Sequence, residues 1–540
     1  MRDVISSSAG SEEIATIGGA EITPHSCVRA TDTSARNQTD WLIDNAAAYA
    51  PLLESLRNAR RSIHIAQLAF DPDCAAYSSD SSSRDAVIAE TLIERATNEG
   101  PEIRILLNAS WMLNTARPLR KFFAARGVAK RIEVRGMSRF PHFMHAKLVL
   151  IDQREGFLLG SPFVNSYWDD GSHIPFDARR PLRELGGRPL HDVSMRLRGP
   201  IVRDLDTMFA SLWRSCGERK GRVLPSGATP APPPASTSGA GTRLVCDAPD
   251  GVFPGVPNHA MHMLAELLAG IARARHCIYI EHQYLTSRPI AAALATALRL
   301  VPGLEIIIVL NQNPDLTAYR AWQNTQLTER ELLAHPRVGV FSLWSTGPHP
   351  ELGGVTGISQ LFIHSKVMVV DDEWAAVGTS NLDGVSMGDY GDDFAGALGR
   401  RVFRGVRNVE VNIIIDAQDA HDVSRGRNRP VVHEGEARTI AELRERLWHE
   451  HIGAPRPALR RRPEGGWLAM WRAAAAENVR ALSGDEPRIL GHLLPYSVRA
   501  FPSQQLADIG VDVRSDKLEL CYDPTWLSVY ASPHWIRNIF

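Results

Sequence analysis

The sequence predicts an α/β fold made of two similar halves. Helix-like and strand-like hydrophobic patterns alternate along the chain, and four segments of the first half recur in the same order in the second. A stretch rich in Pro, Ala, Ser and Gly at 225–241 lies between the halves and cannot form a packed core. Because helices and strands alternate, we expect a largely parallel or mixed sheet covered by helices in each half.

The four recurring segments define the repeated unit. The first segment is an amphipathic helix followed by a short apolar strand, and the second is a buried strand that ends in Asn. The third is a strand with a polar motif, and the fourth is a strand that begins with a carboxylate. The matched pairs are 52–70 with 267–285, 102–108 with 305–311, 144–152 with 363–371, and 192–197 with 410–415. Four segments in one order indicate a duplicated α/β unit whose loops have diverged.

These boundaries predict five parts of the chain. They are an N-terminal leader at 1–40, a first half at 41–222, a Pro-rich linker at 223–245, a second half at 246–453, and a C-terminal extension at 454–540. The extension has one helical pattern followed by several Pro-containing turns, so we expect it to pack against the duplicated core.

Composition excludes several classes of protein. Sixty basic and 61 acidic residues give a formal net charge of -1, so a nucleic-acid coat or clamp is not expected. No apolar stretch reaches the ~18 residues that span a bilayer, and the polar N-terminus has no secretory signal. The six cysteines are scattered without metal-ligand spacing, so neither a metal nor a cofactor is expected.

We therefore expect a monomer in the cytoplasm of the producing cell. Export by a secretion system that needs no signal peptide is an alternative, and it would bring an immunity protein or a secretion-system component as a partner.

The third recurring segment carries the chemistry. It reads H-x-K-x-x-x-x-D twice, and only six of the 60 basic residues of the chain are lysines, so the two motif lysines are informative. On a strand the His and Lys point to the same face, and two such units present two imidazoles and two ammonium groups to one anion. Cleavage of a phosphate diester needs that set: one imidazole attacks phosphorus, the other protonates the departing alcohol, and the lysines hold the oxygens. The predicted catalytic residues are His145, Lys147, Asp152, His364, Lys366 and Asp371.

The two motif aspartates are better explained as turn or ion-pair residues than as proton-transfer groups. Small and polar residues after each motif let hydroxyl and amide donors approach a phosphate. The predicted substrate-binding residues are Ser161, Asn165, Ser380 and Asn381. Asp192 and Glu410 open the last recurring strand, where each would accept Nδ1–H from an active imidazole and fix its tautomer. Asp392 is an alternative to Glu410 in this role.

With both motifs and their flanks in place, the sequence resembles the phospholipase D superfamily, over about 45–453. The resemblance extends to 191–193 (HDV), 279–284 (YIEHQY) and 443–451 (LRERLWHEH), which are more similar to two-motif phospholipases D than to single-motif nucleases. It implies two mixed-sheet lobes flanked by helices and related by a pseudo-twofold axis, with one active site between them.

The resemblance also implies a covalent phosphohistidine intermediate. Such enzymes hydrolyse membrane phospholipids to phosphatidic acid and a head-group alcohol, and many also transfer the phosphatidyl group to another alcohol. By resemblance His145 attacks phosphorus and His364 acts as general acid and then base; the near-symmetry of the motifs leaves the reverse open.

Phospholipase D hydrolysis at a membrane surface is the function that the sequence favours. A nuclease or other phosphodiesterase would use the same chemistry, and the near-neutral net charge argues against it. Cardiolipin synthase-type phosphatidyl transfer is the remaining alternative; relatives of that branch usually carry N-terminal membrane segments, which the sequence lacks.

Overall fold

A computed structural model describes residues 37–77, 84–97, 99–109, 113–138, 142–175, 177–181, 187–217, 241–249, 252, 262–315, 317–348, 356–389, 406–419, 431–482 and 488–497. Most of the predicted leader and linker, the residue Asp392 and the end of the C-terminal extension lie outside these ranges. None of the helices in the described ranges is long and apolar enough to cross a membrane.

The first half forms a seven-stranded mixed sheet in the order β1-β11-β9-β8-β2-β5-β6. Its strands are β1 (Gln38–Ile43), β2 (Ser62–Ala66), β5 (Glu102–Asn108), β6 (Ile132–Met137), β8 (Leu148–Ile151), β9 (Glu155–Leu158) and β11 (Val193–Arg198), and shorter strands are β3 (Ala75–Tyr77), β4 (Arg84–Val87), β7 (Phe143–Met144) and β10 (Leu190–His191). Its helices are α1 (Asn45–Asn58), α2 (Ile88–Arg95), α3 (Ala116–Ala125) and α4 (Ile201–Ser215).

The second half forms a ten-stranded sheet, in which eight strands have the order β12-β20-β19-β18-β13-β14-β15-β16; the other two are β23, beside β15, and β7 of the first half, beside β20. Its strands are β12 (Gly241–Asp247), β13 (Cys277–His282), β14 (Glu305–Leu310), β15 (Val338–Pro348), β16 (Thr356–Gln360), β17 (Phe362–Ile363), β18 (Lys366–Val370), β19 (Trp374–Gly378), β20 (Asn408–Asp416), β21 (Gln418–Asp419), β22 (Val431–Val432) and β23 (Leu493–Pro495). Its helices are α5 (His262–Ala272), α6 (Arg288–Leu300), α7 (Thr317–Glu329), α8 (Gly384–Met387), α9 (Glu434–Ile452) and α10 (Trp467–Leu482).

The predicted duplication is confirmed strand by strand. The order β1-β11-β9-β8-β2-β5-β6 repeats as β12-β20-β19-β18-β13-β14-β15. In both runs of seven strands the last two pairings are parallel and the others are antiparallel. The chain therefore has the duplicated α/β fold with mixed sheets that the sequence predicts.

Strand periodicity divides the hydrophobic side chains into an inner and an outer core. In β13, Tyr279 points into a core shared by both halves, whereas Ile278 and Ile280 point into a core made by the second half alone. Successive side chains of a strand face opposite sides of its sheet, so each sheet is buried on both faces. The first half has its own outer core in the same way.

The start of the C-terminal extension packs against the second sheet. β23 pairs with β15, and Trp471 of α10 lies against the rings of Tyr279 and Phe341. The described part of the extension thus completes the inner core on the side of the second half.

Candidate active site

The two motifs meet because each half adds a short strand to the other. β7 pairs in parallel with the start of β20, and the His145 N–H donates to the Val409 carbonyl at 3.0 Å. β10 pairs in parallel with β17, and the His364 N–H donates to the His191 carbonyl at 2.8 Å. Each motif histidine is therefore held by backbone contacts to the opposite half, next to the strand that carries the opposite carboxylate.

The orienting carboxylates are exchanged between the halves. Nδ1 of His145 lies 2.8 Å from Glu410 Oε2, and Nδ1 of His364 lies 2.8 Å from Asp192 Oδ2. Both carboxylates are fully buried, while the side chains of His145 and His364 are 12% and 3% exposed. A carboxylate on Nδ1 fixes the tautomer and leaves Nε2 of each ring for a substrate.

Each carboxylate is itself held by hydroxyl groups. Thr379 Oγ1 donates to Glu410 at 2.6 Å and Ser386 Oγ at 2.7 Å, while Ser161 Oγ donates to Asp192. Burial disfavours ionisation, yet the adjacent His145 lowers the pKa of Glu410 and the adjacent His364 lowers the pKa of Asp192. Both groups are therefore carboxylates that orient an imidazole and stabilise its charged form.

Two equivalent glycines let the carboxylate strand approach this closely. A Cβ on Gly160 would overlap the Asp192 carboxylate, and a Cβ on Gly378 would overlap Asn412. The glycine after each motif is thus required by a close approach rather than by a turn.

The motif lysines are buried beside the histidines. Lys147 Nζ donates to the His145 carbonyl at 2.9 Å; Lys366 Nζ donates to the His364 carbonyl and lies 3.3 Å from Gln283 Oε1. Burial, and then the charge of Lys366, lower the pKa of Lys147 to about 7. Burial lowers the pKa of Lys366 to about 8. Burial makes the charged form of both lysines unfavourable, and a bound phosphate anion would stabilise their ammonium groups.

Burial favours the neutral form of both imidazoles. Burial lowers the pKa of His364 to about 3, further lowered by the Lys366 charge, and burial also lowers the pKa of His145. A neutral ring offers an Nε2 lone pair to phosphorus, and the negative charge of a bound phosphodiester would favour a proton on the second ring.

The motif aspartates do not belong to the reacting set. Asp152 and Asp371 both have positive φ and accept backbone hydrogen bonds of 2.6 to 3.1 Å at the ends of their strands. The donors are the N–H groups of Arg60, Arg61 and Ser62 for Asp152, and those of Arg275, His276 and Cys277 for Asp371. We therefore no longer count Asp152 and Asp371 among the catalytic residues. Each of them holds the start of a neighbouring strand, which is the turn role that the sequence favours.

In the first flank, the predicted phosphate ligands have other partners. Asn165 Oδ1 accepts from the Ala75 N–H at 2.9 Å and its amide nitrogen lies 3.3 Å from the Asp73 carbonyl. Ser161 donates to Asp192. We therefore do not retain Asn165 as a phosphate ligand, and Ser161 becomes a positioning residue.

In the second flank, Ser380 and Asn381 differ. Ser380 exchanges two hydrogen bonds with the Asn412 side chain, at 3.1 and 2.7 Å. Asn381 is buried, and its Oδ1 has no hydrogen-bond partner within the described part of the chain. Asn381 thus remains the flank residue best placed to contact a substrate.

Sequence reasoning missed two neighbours of the reacting groups. Ser386, in the short helix α8, contacts Glu410, and the ring of Tyr167 lies edge-on to His364 with 5.0 Å between centroids. No repeat or periodicity marks either residue. A group of buried histidines and carboxylates next to Asp192 was also missed; it includes a set able to hold a metal ion, Asp44, His173, His191 and Glu450.

Comparison with known proteins supports the family. Residues 52–165 and 267–395 each match a family described as cardiolipin synthase, PLD-like domain. The chain is 25% identical over 357 residues to the major cardiolipin synthase ClsA of Bacillus subtilis, and 23% identical over 363 residues to a cardiolipin synthase of Listeria monocytogenes serotype 4a. Each match covers 64% of this chain and 62% of the relative, so the chain spans about three fifths of the length of these relatives.

Among solved structures, the chain is similar to the phosphatidylserine synthase of Haemophilus influenzae Rd KW20. The sequence identity is 12% and the TM-score is 0.48, over 79% of this chain and 91% of that chain.

The family assignment rests on agreement between the motifs, the fold and the sequence matches. One matched segment lies within each half, and each segment contains one intact motif. The repeated strand order and the exchanged carboxylates place both motifs in one site. The chain belongs to the phospholipase D superfamily, the phosphodiester-handling enzymes whose paired motifs the sequence carries intact.

Proposed function

We propose that the chain is a phosphatidyltransferase, which moves a phosphatidyl group from one phospholipid to the hydroxyl of a second through a phosphohistidine intermediate. The observation that supports this most is the exchanged pair of His–carboxylate contacts, 2.8 Å each, beside two buried lysines. One phosphodiester fits this set: its anionic oxygens take the ammonium groups, and its phosphorus and leaving oxygen take the two Nε2 atoms.

In the first step, His145 Nε2 forms a bond to phosphorus while the bond from phosphorus to the head-group oxygen breaks. His364, protonated in the complex, gives its Nε2 proton to that oxygen, and the head-group alcohol leaves. The larger exposure of His145, 12% against 3%, supports the assignment of attack to this ring.

In the second step, the hydroxyl of an acceptor alcohol attacks the phosphorus of the phosphatidyl-histidine. Its proton passes to the now neutral His364, and the bond between phosphorus and His145 Nε2 breaks. The buried Lys147 and Lys366 stabilise the charge on the oxygens in both steps, because a buried ammonium interacts with an anion more strongly than a solvated one does.

Transfer is preferred to hydrolysis for two reasons. His364, the base that would activate an attacking water, and both lysines are buried, which limits the access of bulk water to that base. The relatives named above are cardiolipin synthases. Cardiolipin contains two phosphatidyl groups on one glycerol, so an enzyme of this kind would use a lipid head-group hydroxyl, such as that of phosphatidylglycerol, as its acceptor.

Product analysis by mass spectrometry tests the proposal. Purified full-length protein is incubated with phosphatidylglycerol vesicles, and we expect cardiolipin together with free glycerol. His145→Ala and His364→Ala should each reduce turnover at least ~1000-fold. His276→Ala, at an exposed histidine that contacts Asp371 only through its backbone, is the matched control and should leave turnover unchanged.

Two results would reject transfer. Phosphatidic acid as the sole product, even with a large excess of an alcohol acceptor, would assign the enzyme as a phospholipase D hydrolase. Cleavage of single-stranded DNA with no turnover of any lipid would assign it as a nuclease.

A further inference from the structure

A second polar cluster lies behind the active site. Asp44 stands between β1 and α1, His173 lies in the loop before β10, His191 ends β10, and Glu450 is in the last turn of α9. One ligand atom from each of the four lies within 4.8 Å of every other. Four segments that are distant in sequence thus place two imidazoles and two carboxylates around one point.

The spacing fits a tetrahedral ion. His191 Nδ1 lies 3.1 Å from Asp44 Oδ1 and 2.8 Å from Glu450 Oε1. His173 Nε2 lies 3.5 Å from Asp44 Oδ2 and 3.2 Å from the same Glu450 oxygen. Zinc bonds of roughly 2.0–2.1 Å would separate tetrahedral ligand atoms by ~3.3 Å. The four nitrogen–oxygen distances, 2.8 to 3.5 Å, lie on either side of this value, with the two histidines each contacting a different oxygen of Asp44.

Hydrogen bonds leave part of the cluster unsatisfied. Asp44 Oδ2 and both ring nitrogens of His191 have no hydrogen bond of acceptable geometry to any residue that the structure describes. Both side chains are almost completely buried. The ring nitrogens of His191 lie 2.8 to 3.1 Å from oxygens of Asp44, Glu450 and Glu281, so these contacts have the distances of ion pairs without the alignment of hydrogen bonds. Buried polar atoms are normally hydrogen-bonded, and an ion among the four residues would satisfy Asp44 and His191 Nδ1.

The outer contacts are those of a metal site. His173 Nδ1 lies 3.0 Å from Asp169 Oδ2, and Asp169 in turn accepts from Arg180 and from the Leu190 N–H. His191 Nε2 lies 2.9 Å from Glu281 Oε1. Metal-binding histidines usually have a carboxylate on the ring nitrogen that does not bind the metal, because it fixes the tautomer and makes the ligand more basic.

The charges identify the class of ion. A histidine binds a metal as a neutral imidazole, so the two carboxylates of the set would balance a divalent cation. A set of nitrogen and oxygen donors without thiolate suits zinc and similar transition metals better than calcium or magnesium. Glu450 is the most exposed of the four side chains, at 15%.

We propose that Asp44, His173, His191 and Glu450 bind one divalent transition-metal ion of the zinc type. The ion has a structural role, since all four protein ligands close the site and none of them is a reacting group. It ties α9 to three segments of the first half. It also supports the active site, because Glu281, which lies on the far side of His191, accepts a hydrogen bond from Ser365 between the motif residues of the second half.

Metal analysis of the full-length protein tests this directly. After dialysis against buffer treated to remove metals, inductively coupled plasma mass spectrometry should find about one zinc per chain. Cobalt(II) substituted for zinc should give the intense visible absorption of tetrahedral coordination. A strong chelator should lower the melting temperature, and added Zn²⁺ should restore it.

The zinc content of two variants tests whether Glu450 binds the metal. Glu450→Gln should reduce zinc content at least ~10-fold. Glu442→Gln, at an exposed glutamate on the same helix α9, is the matched control and should keep the metal. If Glu450→Gln does not fold, the cobalt spectrum of the unmodified protein decides.

The proposal is overturned if the purified protein has no bound divalent metal and its melting temperature responds to neither Zn²⁺ nor chelator. Protons on His173 and His191 would then balance the carboxylates. Unchanged zinc content in folded Glu450→Gln, or a cobalt spectrum of octahedral type, would equally reject these four ligands.

Discussion

Replacing Lys147 with methionine should stabilise the protein while abolishing catalysis. The side chain is fully buried, and its pKa falls from 10.5 to about 7 in the fold. Each pKa unit corresponds to about 1.4 kcal/mol, so holding the ammonium in the fold costs about 5 kcal/mol. The cost is complete below pH 7, shrinks as the pH rises, and vanishes above the unfolded pKa, because the neutral amine carries no such penalty.

Methionine keeps the length of the chain without the charge. The variant loses the hydrogen bond to the His145 carbonyl, worth about 1 kcal/mol at every pH. Its advantage in unfolding free energy should therefore be up to about 4 kcal/mol at pH 6, and about 3 kcal/mol smaller at pH 9, where the wild type has recovered part of the cost.

Urea unfolding at the two pH values measures this difference. Lys121→Met, at an exposed lysine on α3, is the control and should change the unfolding free energy by less than ~0.5 kcal/mol at both. If Lys147→Met destabilised the protein at both pH values, or if its effect were the same at pH 6 and pH 9, the buried charge would not carry the cost inferred here.

Four further predictions concern the site and its supports. Asp192→Asn and Glu410→Gln should each lower kcat by ~10²–10⁴-fold with little change in fold, as loss of an orienting carboxylate does elsewhere; near-normal kcat in both would remove the orienting role. Gly160→Ala should displace Asp192 and lower kcat by at least ~10-fold, since the added methyl overlaps the carboxylate; a crystal structure of the variant with Asp192 unmoved would contradict this. Asp152→Ala should cost about 1–3 kcal/mol in urea unfolding, because three N–H groups lose their acceptor, while kcat in the folded protein stays within ~3-fold; a loss like that of a reacting histidine would return Asp152 to the catalytic set. The pH profile of kcat/KM should fall on the alkaline side from about pH 7 to 8, where Lys147 and Lys366 of the free enzyme lose their protons; an alkaline limb above pH 10 would refute this.

The fold and the reacting groups could be predicted because local sequence patterns indicate both. The alternation of Ile278, Tyr279 and Ile280 between two cores is a period of two residues, which the sequence displays directly. The motif histidines and lysines could be identified by residue type and by their repetition at an offset of 219 positions, from His145 to His364.

The exchange of carboxylates could not be predicted, because it depends on pairing between strands of different halves. β7 joins β20, and β10 joins β17, through only two residue pairs each, and no sequence pattern specifies such short contacts. The same limit applies to Asn165: its amide was predicted from its position after the motif, but the fold directs it to Asp73 and Ala75.

The buried cluster escaped prediction for a related reason. Its ligands come from four segments without regular spacing, and two of them, His173 and Asp44, adopt positive φ in irregular connections. His191 and Glu450 lie in segments that resemble the family, 191–193 and 443–451, but neither segment indicates a metal. Ligand sets assembled from distant loops are visible only once the chain is folded.

Trapping the covalent intermediate tests the central claim most directly. The enzyme is mixed with a phospholipid labelled with ³²P, quenched in alkali within one turnover, and digested, and the labelled peptide is identified by mass spectrometry. We expect one acid-labile phosphoramidate on His145, absent in His145→Ala and discharged by added phosphatidylglycerol in the unmodified enzyme. Turnover of lipid without any labelled histidine, or label that persists in a variant lacking both motif histidines, would contradict a shared two-motif site that works through phosphohistidine.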